Sequence, residues 1–256
     1  MLVCNKVTWF CRGCLSLIAT ETDYSLLAVA CTRNKRYWMV MSVRIIPKNY
    51  RNVTGLGSHR KADGRASFES TLERDFLTLL EFSPEVDGFE IQPVAVEWVD
   101  SLGLQRRYTP DVLVRYVRAC QRPPTLVEVK YRSELKAAWS DCRPRFKEGL
   151  RYAREHGWRF KIMTEVEIRT PYLQNARFLL PFVSRGPGSE AYMELLDDAL
   201  KKLKQATPKS LLEAIYQDEM NQAKLLPTLW YLIGIFNIGA DLALPLNMAT
   251  PIWYRP

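Results

Sequence analysis

The sequence predicts an α/β protein: a mixed sheet flanked by helices, followed by a small domain of three helices and a two-stranded ribbon. Three observations predict it. Between residues 67 and 82, Phe68, Leu72, Phe76, Leu79 and Leu80 recur at three- and four-residue steps, the period of an amphipathic helix. Between residues 94 and 163, short runs rich in β-branched and aromatic residues alternate with loop and helical stretches. Beyond Ser184-Arg185-Gly186-Pro187-Gly188-Ser189, which has the composition of a linker, three helical patterns precede two short extended ones.

Taken in order, Ser83-Pro84 stops the first helix, on whose flank Glu69 and Glu73 sit one turn apart. Val94, Val96 and Trp98 alternate with Ala95 and Glu97 as one strand, and Tyr108 through Val117 reads as a second. Residues 118–124, with two adjacent prolines, read as a loop before a strand over Thr125–Tyr131. A helix is expected from about Arg145 to His156, where Gly157 ends it, then a strand over Trp158–Met163 and a short helix over Pro171–Leu180. After the linker come helices over Glu190–Lys204, from a Thr207 cap with Pro208 at its first position, and over about Asn221–Ile233. Strands over Ile238–Leu242 and Leu246–Trp253 complete the outline of a winged helix. The organisation is therefore residues 1–40, residues 41–184 and residues 185–256.

Composition narrows the chemistry. The 256 residues carry 36 Lys+Arg against 28 Asp+Glu, a net charge of +8, with 47% hydrophobic residues, which suits a folded chain with its own core. Residues 41–185 hold most of the positive excess, whereas residues 186–256 are slightly acidic, so a polyanion partner such as nucleic acid suits the middle of the chain. Only two histidines, His59 and His156, are present, which argues against a His-rich zinc site or a Ser-His-Asp hydrolase. Four of the six cysteines (Cys4, Cys11, Cys14 and Cys31) lie in the first 31 residues. The Cys11/Cys14 C-x-x-C has no second pair at finger spacing, so free thiols are expected there rather than zinc. No apolar run is long and clean enough to span a bilayer or to form a secretory signal, which points to a reduced, cytoplasmic protein without a membrane association. Residues 1–40 lack any sustained period. The expectation is an atypical extension, disordered or preceding a true start at Met41.

The chemistry-bearing stretch is Tyr108-Thr109-Pro110-Asp111-Val112-Leu113-Val114, then Leu126-Val127-Glu128-Val129-Lys130-Tyr131. Alternation along a strand puts Glu128 and Lys130 on one face, with Val127 and Val129 on the other, toward the core. Pairing of the two strands brings Asp111 to the same patch. Two carboxylates and an ammonium suit metal-dependent phosphodiester hydrolysis: hard oxygen ligands hold Mg²⁺, the ion activates water, and a lysine offsets charge on the phosphoryl oxygens. Glu73 on the preceding helix is the expected third ligand, with Glu69 its rival. Arg145, Lys147, Arg151 and Arg154 are spaced like one solvated helix face, suited to phosphate contacts. His156 fits a helix C-terminus, and Trp230, Tyr231 and Phe236 fit a core better than a base-stacking platform.

Pro110-Asp111…Glu128-Val129-Lys130 resembles the PD-(D/E)xK signature of restriction-endonuclease-like folds. More closely, Phe68-Glu69-Ser70-Thr71-Leu72-Glu73-Arg74-Asp75-Phe76, Gln92-Pro93, Tyr108-Thr109-Pro110-Asp111 and Val127-Glu128-Val129-Lys130-Tyr131 are similar to the TnsA family, endonuclease subunits of heteromeric TnsA/TnsB transposases. The likeness runs from about Met41 to Phe182 and more loosely into the C-terminal region. It implies a restriction-endonuclease-like mixed sheet and Mg²⁺-dependent cleavage of the 5′ strands at double-stranded transposon ends, with Mn²⁺ able to substitute. It also implies a DDE-type transposase partner, TnsB, and an AAA+ regulator, TnsC. Carried onto this chain, Glu73, Asp111 and Lys130 match the family's positions. Glu128 stands where the family admits a carboxylate or a glutamine, so Glu73, Asp111 and Glu128 become the metal ligands and Lys130 the fourth catalytic residue. Gln92 matches the Gln-Pro pair and is expected to orient a neighbour or a phosphate. The C-terminal domain, lacking positive charge, is expected to dock a protein. The competing expectations are a stand-alone PD-(D/E)xK repair or restriction nuclease and a non-catalytic DNA-binding adaptor.

Overall fold

Ser70 starts the first long helix. Its hydroxyl accepts the Glu73 N–H at 3.1 Å, satisfying one of the amides that a helix start leaves open. The computed structural model describes residues 55–57, 59–64 and 66–256, and the expectations placed on residues 1–40 and on a start at Met41 lie outside them. Strands β1 (Gly55–Gly57) and β2 (Ala66–Phe68) pair antiparallel ahead of α1 (Thr71–Phe82).

Strand β3 (Val86–Ile91) follows, then the antiparallel hairpin β4 (Val96–Val99) and β5 (Gln105–Tyr108), then β6 (Val112–Tyr116), β7 (Thr125–Val129), helices α2 (Arg132–Ala137) and α3 (Trp139–Glu155), and β8 (Arg159–Met163). The main sheet runs β3-β6-β7-β8; β6 pairs antiparallel with both β3 and β7, and β7 pairs parallel with β8, so the sheet is mixed as expected. All five β7 residues are buried, the mark of a strand covered on both faces. On one face Val112, Val114, Val127 and Val129 pack with Leu72, Phe76, Leu77 and Leu80 of α1. On the other, Leu113 and Leu126 meet Ala153 of α3, and beside them Val96, Tyr108, Cys142 and Phe146 form a smaller cluster. Gly149 permits that approach: a Cβ there would lie 3.0 Å from both the Phe160 and the Tyr108 rings.

Two local expectations are corrected, and helix α3 covers the polar patch. Tyr108–Val117 is two strands, since Pro110 has no N–H to give a ladder. Strand β3, which the sequence pattern does not announce, has every residue but Asp87 buried. Helix α3 begins at Trp139 and carries Pro144 inside it.

Helix α4 (Glu165–Ile168) leads to α5 (Pro171–Arg185), which continues past Pro181 to the predicted linker. The remainder runs α6 (Glu190–Leu203), β9 (Gln205–Ala206), α7 (Pro208–Ile215), α8 (Glu219–Gly234), β10 (Ile238–Ala240) and β11 (Ile252–Tyr254). Thr207 caps α7, with its hydroxyl 3.1 Å from the Ser210 N–H and Pro208 in the first turn. The last strands form an antiparallel sheet in the order β10-β11-β9, one strand more than the ribbon expected. The core beneath them takes Leu196, Leu200, Leu211, Leu225, Leu229 and Ile252, together with Phe82 of α1 and Ala176 and Leu179 of α5. Trp230 is buried in it, and Phe236 packs on Phe82 with ring centroids 5.2 Å apart. Among the described residues no helix is long and apolar enough to cross a membrane.

Candidate active site

The register of the central strands builds the site. Val112 faces Val127 and Leu113 faces Leu126, so Asp111 and Glu128, the next residue outward on each chain, meet at the strand ends. Asp111 is fixed twice. Its Oδ2 accepts the Val129 N–H at 2.7 Å, and its carbonyl accepts the Gln92 N–H at 2.7 Å. Gln92 holds the left-handed backbone at φ 49° to make that bond, and its side-chain amide donates to Glu69 Oε1 at 3.4 Å. Its buried Oε1 has no hydrogen-bond partner. Gln92 thus ties the loop ahead of α1 to the start of β6.

Glu128 is buried beneath α3. The Tyr108 hydroxyl donates to its Oε2 at 2.6 Å, and Tyr108 packs edge-on against Phe146. Arg145 of α3 lies over the Tyr108 and Phe146 rings, at 5.8 and 5.2 Å from their centroids, and donates to Cys142 Sγ. Glu73 stands at the head of α1, where its carboxylate accepts the Glu69 N–H at 2.8 Å and the Ser70 hydroxyl at 2.9 Å. Lys130 leaves β7 just after Glu128, half-buried, with its Nζ 3.4 Å from Glu134 Oε2.

Electrostatics shows that the acidic groups share one patch. Burial, then the charges of Glu128 and Glu73, push the Asp111 carboxyl well above the ordinary carboxylate range. Burial also raises Glu128, against the pull of the Tyr108 hydroxyl, Arg145 and Lys130. Glu73 is raised by burial, partly offset by the Glu69 amide and the Ser70 hydroxyl. Among the described residues no three His, Cys, Asp or Glu side chains stand close enough to hold a metal ion as they are. Glu73 bonds the Ser70 hydroxyl and Glu128 the Tyr108 hydroxyl. The donor set nonetheless fits a hard divalent cation, since Mg²⁺ is commonly held by one or two carboxylates and keeps its waters, and Asp111 and Glu128 are two neighbouring carboxylates withdrawn from solvent.

Of the expected basic helix face, only Arg145 turns toward the site. Arg151 is paired with Glu148 and Glu155, each at 2.7 Å. His156 ends α3, accepting or donating at Nδ1 with the Tyr152 carbonyl at 2.8 Å. Sequence reasoning missed the role of Tyr108, whose partner Glu128 lies 20 residues on; a lone polar-tipped aromatic closing the otherwise polar strand Gln105-Arg106-Arg107-Tyr108 was the available signal.

Residues 83–165 match the family described as TnsA-like endonuclease N terminal. That stretch runs from the end of α1 through β8 and contains Asp111, Glu128 and Lys130, while Glu73 lies just ahead of it. No curated protein matches the chain.

Proposed function

We propose, from the chain's membership of the TnsA family through its TnsA-like endonuclease N-terminal segment, that it is the Mg²⁺-dependent DNA-cutting subunit of a heteromeric transposase, cleaving the 5′ strands at transposon ends. The observation that carries the reading is the convergence of Asp111 and Glu128 at adjoining strand ends, both raised first by burial and both tempered by Lys130. Asp111 and Glu128 would hold the divalent ion, with Glu73 reaching the same patch from α1. When bound, such an ion polarises a phosphoryl oxygen and makes a bound water acidic enough to act near neutral pH.

The chain's own groups do the rest. The Val129 amide fixes one Asp111 oxygen. Tyr108 keeps Glu128 in one rotamer and favours its charged form. Lys130, held beside Glu134, presents an ammonium that offsets charge gathering on the phosphoryl oxygens as water attacks. Cover by α1 and α3 keeps these groups in a low-dielectric setting, where each charge interaction is worth more than in water.

The last three helices and three short strands follow the order helix–strand–helix–helix–strand–strand, which supports a winged-helix reading. Its acidic balance favours docking to TnsB or TnsC over reading DNA. The test is cleavage of a transposon-end duplex with the transposase present: Asp111→Ala or Lys130→Ala is expected to abolish 5′-strand cutting while leaving the fold and complex formation intact. Full cutting by either folded variant would refute the site.

A further inference from the structure

Two residues beyond Glu73, the same helix carries a second polar constellation. Asp75 is a carboxylate in the core, its side chain only 3% exposed, and three guanidinium groups converge on it: Arg169 Nε at 2.9 Å, Arg74 Nη2 at 3.5 Å, and Arg177. One negative charge is thus surrounded by three positive ones, although a buried carboxylate is balanced by one. The arginine side chains remain 46% (Arg74), 41% (Arg169) and 45% (Arg177) exposed, so each keeps N–H groups turned to solvent. Together with Thr71, Thr170 and Gln174 they line a cavity of about 360 Å³. Its position relative to the active site is fixed by hydrogen bonds. Arg169 Nη2 donates to the Tyr131 hydroxyl at 2.9 Å and to Thr71 Oγ1 at 3.1 Å; Tyr131 follows Lys130, and Thr71 precedes Glu73 by two residues.

A buried acid that orients several guanidinium forks leaves them preorganised for a tetrahedral oxyanion, which they bind through paired N–H donors. We propose that Arg74, Arg169 and Arg177 form a phosphate pocket that grips a backbone phosphodiester of duplex DNA flanking the scissile one. The inference rests on the nuclease reading and adds to it the place where the duplex is held in register. A free phosphate or a mononucleotide offers the same chemistry. The DNA backbone is favoured because the pocket shares Tyr131 and the first turn of α1 with the groups that face the scissile phosphate.

The test uses the full chain, a labelled duplex and EDTA to block cutting, with affinity measured by fluorescence anisotropy across monovalent salt. Arg74→Gln and Arg177→Gln leave the Arg169 contacts in place. Each is expected to weaken binding about five- to tenfold at low salt and to lower the slope of log K against log[salt] by about one. Inorganic phosphate should displace the duplex only at concentrations where ionic strength alone does so. Unchanged affinity and slope in the folded double variant would overturn the pocket, as would displacement of the wild-type duplex by micromolar phosphate or mononucleotide. Should the Gln variants not fold, Arg177→Lys keeps the charge without the fork, and weaker binding at an unchanged slope is expected; wild-type binding would overturn the proposal. Wild-type protein that fails to cut a transposon-end duplex with Mg²⁺ and the transposase present sinks the nuclease reading itself, whereas wild-type cutting there with unaltered binding by the variants sinks only the pocket.

Discussion

Burial beneath Tyr108 and Phe146 makes Glu128 a reluctant anion, and a single hydroxyl works against that burial. Tyr108→Phe removes the 2.6 Å bond that favours the charged carboxylate, so the Glu128 carboxyl should rise further. A metal ligand must be deprotonated, so the acid limb of the cleavage rate should move to higher pH while the rate at alkaline pH falls less. A pH–rate profile of Tyr108→Phe with an unshifted acid limb would show that the hydroxyl does not tune Glu128. Glu90 on β3 is a separate case. Burial pushes its carboxyl up to about 7 despite Arg115, and its Oε1 has no hydrogen-bond partner. A carboxyl raised in the fold binds its proton more tightly there than in the unfolded chain. Its contribution to stability is therefore complete in acid and is lost as pH rises from the ordinary carboxylate range through about 7. Glu90→Gln should flatten the fall of the thermal midpoint over that window. The same slope in wild type and variant would locate the titration elsewhere.

Elements turn these residues into a site by the way they stack. Helix α3 presses on the sheet at Gly149, and its Phe146 and Arg145 complete the roof over Tyr108 and Glu128. Gly149→Ala would place a methyl 3.0 Å from the Tyr108 and Phe160 rings, forcing helix and sheet apart by a few tenths of an ångström. Overpacking of this kind costs about 1–3 kcal/mol, offset in part by the better helix propensity of alanine. The expected result is a modest loss of stability in denaturant unfolding with a larger loss of cleavage, because the Tyr108–Glu128 bond shifts with the helix. Equal activity would mean that the roof does not position Glu128. Helix α1 works differently: its periodicity is local, its Ser70 cap is local, and the structure places it where the sequence does. Strand β3 and the first half of α3 were not legible in this way, because burial by distant elements outweighs the turn preference of Asp87-Gly88 and the helix-breaking preference of Pro144.

Across the whole molecule, the two cores are joined through α5. Ala176 and Leu179 enter the C-terminal core along with Phe82, while Leu173 of the same helix packs with α1 and the sheet. Asn175, buried between them, makes the polar part of this joint: its Nδ2 donates to the Leu242 and Leu244 carbonyls at 2.9 and 2.7 Å, and its Oδ1 accepts the Leu246 N–H at 3.0 Å. Asn175→Ala strands three backbone groups, at about 1–3 kcal/mol for each that stays buried and unpaired. The variant should lose protection from hydrogen exchange across residues 238–254 before it loses it in β6 and β7. Simultaneous loss in both regions would show that the molecule opens as one cooperative unit.

The sequence by itself determined α1, the Thr207 cap of α7, the two central strands and the linker composition, and it singled out the four residues proposed for the site. Each of those depends on near neighbours: side-chain alternation, a capping hydroxyl, a Pro-Asp pair, and a Glu and Lys two residues apart on one strand. Tertiary structure alone decided which sheet face is roofed, that Tyr108 rather than solvent meets Glu128, and that Arg145 leaves its basic row to cover the site. It also decided that Asp75 gathers Arg169 and Arg177 from 94 and 102 residues away. A local pattern records which way a side chain points along its own strand or helix. What it meets there depends on elements brought in by long-range packing, which no nearby residue encodes.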